Sequence, residues 1–72
     1  MTNLQHNLKY LRKNKGLIQA DLSDKLGIDL KAYAKYEEGR IAPKIPSLIA
    51  ISDYYGVSID LLVREKIEDN LL

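Results

Sequence analysis

The chain has 72 residues, 46% of them apolar and 29% charged, with 11 Lys and Arg against 10 Asp and Glu and a net charge of +1. That length holds one small domain, residues 1–72; such a chain buries only about 60% of its unfolded surface, so added stability from a partner subunit is expected. Without cysteine there is no disulfide or thiolate metal site, and one histidine (His6) makes no cluster, so neither a metal nor a cofactor is expected. No apolar run approaches the roughly 18 residues that cross a bilayer, and residues 1–6 form no hydrophobic signal core. A cytoplasmic protein with no membrane partner is the expectation.

Leu4, Leu8 and Leu11 fall at i, i+4 and i+7, one face of a helix running to about Asn14, with Gly16 as its stop. Leu22 and Leu26 mark a second, two-turn helix from Gln19 to Leu26, closed by Gly27. Asp29 is placed to cap a third helix from Leu30 to about Glu37, with Tyr33 and Tyr36 turned inward and Gly39 ending it. Pro43 and Pro46 make the next stretch a loop, and Pro46 suits the first turn of a fourth helix that reaches Tyr55. Ser58 caps a fifth helix from Ile59 onward. Strand-like alternation, repeats and low-complexity segments are absent from the sequence, so the fold class is all-α with five short helices.

Charge is unevenly spread. Residues 1–20 carry Lys9, Arg12, Lys13 and Lys15 and no acid; residues 21–40 sum to −1 and residues 41–72 to −2. A basic N-terminal part points to an anionic partner on one face, although a solvated helix surface accounts for the same gradient.

Two short helices joined at Gly27 by a tight turn follow the helix-turn-helix plan. An α-helix about 10–12 Å across fits a major groove about 12 Å wide, provided a second helix holds it clear of the domain. Leu22, Leu26, Ile28 and Tyr33 supply the apolar anchors for that arrangement.

The run Leu17-Ile18-Gln19-Ala20-Asp21-Leu22-Ser23-Asp24-Lys25-Leu26-Gly27-Ile28, followed by Tyr33-Ala34-Lys35-Tyr36-Glu37-Glu38-Gly39-Arg40 and Pro43, resembles the Cro/repressor-like (XRE) helix-turn-helix domain. Ile45, Leu48, Ile51 and the stretch Gly56 to Leu62 continue the pattern, so the likeness covers about residues 4–63, with the motif at about 19–38. It implies a compact five-helix, lambda-repressor-like fold. It also implies a sequence-specific, double-stranded-DNA-binding transcriptional regulator, a small repressor, with Leu30–Glu37 in the major groove. By the same likeness Gln19, Arg40 and Lys44 contact phosphates, and Leu30, Lys31, Ala34 and Lys35 form the outward face of the recognition helix. Lys31 and Lys35 then reach guanine or phosphate, and Leu30 packs on a thymine methyl. Arg12 pairs with Glu37 in a structural role, as do Gly27 at the turn and Asp29 at the cap.

Some positions depart from the family pattern. Ile18 stands where Ser or Thr usually caps the first motif helix, and Tyr33 replaces an aliphatic anchor. Asp29 sets a negative charge at the tip of the recognition helix, where it caps the helix and repels phosphate. The outward face lacks Gln, Asn and Arg, which predicts modest base readout or reliance on DNA shape. The five tyrosines are expected in core or rim packing with wet hydroxyls.

Ile59, Val63, Ile67 and Leu71 recur every four residues, with Leu62 alongside, as if the last helix ran on past Arg64. Leu61, Leu62, Val63 and Ile67 are the expected contacts of a homodimer that presents two recognition helices about 34 Å apart to a pseudo-palindromic operator. The competing expectation is that residues 65–72 fray. The sequence offers no nucleophile–base pair, carboxylate pair or glycine-rich phosphate loop, so an enzyme is not expected, nor is a small-molecule ligand. The alternative function is a protein-interaction module on the same fold, antitoxin-like or an adaptor, without strong DNA binding.

Overall fold

The computed structural model describes residues 3–68 and contains, among them, five helices and no strand. They are α1 (Leu4–Asn14), α2 (Gln19–Leu26), α3 (Leu30–Glu38), α4 (Ile45–Tyr55) and α5 (Ile59–Arg64). Leu8 and Leu11 of α1 are buried with Leu22, Tyr33, Tyr36, Ile51, Leu62 and Ile67 in one core. The third helix packs between α1 and α2; α4 closes over α2 and α5, and α5 returns to α1.

The turn between α2 and α3 is built by local chemistry. Gly27 adopts a left-handed conformation (φ 67°), which lets the Ile28 amide donate back to the Ser23 carbonyl at 2.9 Å. Two residues later the Asp29 carboxylate accepts from the Ala32 amide at 3.2 Å and starts α3. Ser58 caps α5 in the same way, through the Leu61 amide at 3.0 Å. Ile18, at the start of α2, makes no side-chain cap.

The expected continuation of the last helix past Arg64 is corrected by the structure. Glu65 is extended (φ −102°, ψ 147°), and the chain folds back over α1. Asn7 drives that turn. Its amide nitrogen donates to the carbonyls of Leu62 (2.7 Å) and Glu65 (2.6 Å), and its oxygen accepts from the Ile67 amide (2.8 Å). One buried side chain therefore satisfies three backbone groups that further α-helix would have paired elsewhere. Nearby, the Asn3 side chain donates to the Arg64 carbonyl at 3.1 Å. Ile67 is fully buried as a result, and so is Leu62, so both belong to the protomer's own core instead of an outward dimerisation stripe. Leu61 and Val63 are half-buried against that core. Leu71 lies outside the described residues.

Candidate nucleic-acid interface

The third helix has two contrasting faces. Tyr33, Tyr36 and Glu37 point into the domain and are buried. Leu30, Lys31 and Lys35 are exposed on the other side, and Ala34 is half-buried between them. No element among the described residues covers this outward face.

What holds the helix in that orientation is a buried charged cluster. Arg12 Nε donates to Glu37 Oε2 at 2.7 Å and Arg12 Nη2 to Glu37 Oε1 at 3.1 Å, a two-pronged pair whose side chains are 11% and 1% exposed. The third guanidinium nitrogen, Nη1, donates to the Leu17 carbonyl at 2.8 Å. Arg12 thereby pins the end of α3 and the entry to α2 at once. Gln19 joins from the first turn of α2, its Nε2 donating to Glu37 Oε1 at 3.1 Å. That bond leaves the second amide hydrogen of Gln19 and its carbonyl oxygen for other partners.

Burial alone would raise the Glu37 carboxyl, but hydrogen bonding from Arg12 and Gln19, with the Tyr33 phenol acting in the same direction, outweighs it and holds the group below its ordinary value. The bond to Glu37 raises Arg12 in turn, against the opposing effect of burial. Burial pushes the Tyr33 phenol up, and the neighbouring Glu37 carboxylate adds to the shift. The Tyr33 hydroxyl lies close enough to act on that carboxylate yet makes no hydrogen bond of normal geometry, and the Tyr55 hydroxyl is likewise buried without one. The expectation of wet tyrosine hydroxyls fails at these two positions.

Among the remaining cations, Arg40 follows α3 and makes a long, exposed contact from Nη1 to Glu38 Oε1 at 3.5 Å. Lys44 is exposed at the start of α4, where its carbonyl accepts from Leu48 and its side chain caps nothing. Asp29 is committed to its cap. Sequence reasoning missed Asn7, although a signal was present: it stands three residues after Leu4 and four before Leu11, a polar side chain on an apolar face.

The described residues offer no group of three or more His, Asp or Glu placed to hold a metal ion, and no helix long and apolar enough to cross a membrane. The chain is 47% identical over 58 residues to an uncharacterised HTH-type transcriptional regulator, YqaE, of Bacillus subtilis, covering 81% of this chain and 50% of that protein. It is 37% identical over 59 residues to the transcriptional repressor RstR of the cryptic phage CTXphi of Vibrio cholerae, covering 82% and 53%. The chain thus spans about half the length of the curated relatives it matches. The crystal structure of a transcriptional regulator from Listeria innocua superimposes with a TM-score of 0.82 at 29% identity, over 99% of this chain and 68% of that one. The helix-turn-helix family pattern matches residues 8–62, from the core leucine of α1 to that of α5, and the chain belongs to the XRE-type helix-turn-helix family.

Proposed function

We propose that the protein is a sequence-specific regulator of transcription, a small repressor that inserts α3 into the major groove of double-stranded DNA. The observation that carries this reading is the bare outward face of Leu30, Lys31, Ala34 and Lys35, on a helix whose inward face is locked by Arg12 and Glu37. A helix held this rigidly loses little freedom on docking. Lys31 and Lys35 donate to guanine or phosphate, Leu30 meets a thymine methyl, and Arg40 and Lys44 lie along the backbone. Gln19, steadied by Glu37, turns its remaining amide hydrogen to a phosphate. Two copies act together as a cytoplasmic homodimer on a pseudo-palindromic operator. The names of the B. subtilis and V. cholerae relatives support the regulatory role.

The test is binding to duplexes selected from random sequence, measured across a range of salt. Log K falls linearly with log salt for a phosphate-contacting protein, and Lys31→Ala or Arg40→Ala lowers the slope by about 1 if that side chain touches phosphate. Binding that does not change with salt would overturn the reading.

A further inference from the structure

We infer that Asp29 determines specificity: its second carboxylate oxygen, Oδ1, accepts from the N4 amino group of a cytosine in the major groove and selects a C·G pair at that step. The inference rests on the docking of α3 proposed above and adds to it one base and one atom. The helix cap engages only Oδ2 of Asp29, which accepts from the Ala32 amide at 3.2 Å. Oδ1 makes no hydrogen bond or ion pair among the described residues, and the side chain is exposed. Because Oδ2 is tied to the first turn, the carboxylate is restrained and its free oxygen is presented at the tip of α3.

The position matters as much as the atom. Asp29 directly precedes Leu30, the first residue of α3, and the N-terminal residues of a recognition helix are the ones that meet base edges. Its neighbours cannot do the same work. Lys31 and Lys35 only donate, while the side chains of Leu30 and Ala34 neither donate nor accept. Of these outward residues and the cap that leads them, Asp29 alone brings a side-chain acceptor to the groove.

The range of partners for that acceptor is narrow. In the major groove guanine presents two acceptors, N7 and O6, thymine presents O4 and a methyl group, and adenine sets its N7 acceptor beside its amino group. Cytosine is the base whose edge offers a donor and no acceptor. Phosphate repels the carboxylate outright. Against any other base Oδ1 would lose water and gain no donor, so the acid penalises the wrong pair as well as bonding the right one.

Selection from random duplexes, run in parallel on the wild-type chain and on Asp29→Asn, is the test. Asparagine caps a helix as well as aspartate does, so the variant keeps its fold, which circular dichroism checks. With its amide oxygen on the Ala32 amide, its Nδ2 stands in place of Oδ1 and donates. The wild type is expected to select cytosine at one position of each half-site, other bases there binding roughly tenfold more weakly, a cost typical of one mismatched pair. Asp29→Asn loses that cytosine, at that position only, and favours guanine or thymine there. A second probe leaves the protein unchanged. Cytosine methylated on N4 keeps its pairing with guanine but turns a methyl group into the groove where the donated hydrogen stood. Placed at the selected position, it lowers wild-type affinity by a similar factor and changes that of Asp29→Asn little, a coupling that a purely structural cap does not give. Identical selection by the two proteins overturns the inference and leaves the regulator reading intact. So does an equal loss for both on the methylated duplex. A wild type that binds no duplex overturns the regulator reading, and this inference with it.

Discussion

Two buried polar hubs hang on the same helix, α1, and they hold different things in different ways. Arg12 joins Glu37, Gln19 and the Leu17 carbonyl, fixing the two helices of the motif with a charged pair. Asn7, five residues earlier, joins the backbone at Leu62, Glu65 and Ile67 with a neutral amide. The charged hub locates side chains with bidentate geometry, which suits a part that must present a helix in one orientation. The neutral hub needs only to satisfy backbone groups and close the core. Evenly apolar packing would hold the domain together without prescribing either orientation.

Removing one partner of the charged hub is the harshest way to separate the two. Glu37→Ala leaves the Arg12 guanidinium buried without its counter-ion and is expected to cost about 3–5 kcal/mol in urea unfolding. Asn7→Ala strips three backbone groups of their partner and is expected to cost about 1–3 kcal/mol, with faster hydrogen exchange at the Ile67 amide as its signature. An exchange increase confined to α3 would show that the hubs had been assigned to the wrong regions.

The pH dependence sharpens the contrast. Glu37 titrates in the folded state below its ordinary value of 4.5, so its contribution is complete above that pH and is lost as pH falls through the depressed value. The stability gap between wild type and Glu37→Gln therefore narrows as the solution is made more acid than about pH 4. The gap for Asn7→Ala has no such dependence on acid, because an amide does not titrate. Smallest of all is Gly39→Ala. At φ 74° the added Cβ would fall 1.9 Å from Gln5 Oε1, but that exposed side chain can swing away, so what remains is left-handed backbone strain of about 1–2 kcal/mol. Thermal denaturation will read it.

The first four helices were legible because their causes are local. Leucine spacing set the buried face of α1, Gly27 and Gly39 set the stops of α2 and α3, and Asp29 declared its cap. The end of α5 was not legible, because Ile59, Val63 and Ile67 keep helical spacing while the side chain that stops the helix sits sixty residues away in sequence. At the interface, Tyr33 and Tyr36 marked the inward side of α3, while the outward positions came from family likeness. The pairing of Arg12 with Glu37 came from family likeness, since nothing in the spacing of two residues 25 apart requires it. The bond from Gln19 to Glu37 was hidden for the same reason.

The seat of Ile67 against Asn7 has a consequence for synthesis. Helix α1 cannot finish its core until synthesis has passed residue 67, since the anchoring amide belongs to that residue. A chain interrupted just before residue 67 would contain the whole helix-turn-helix motif and lack the residue that closes the fold over α1.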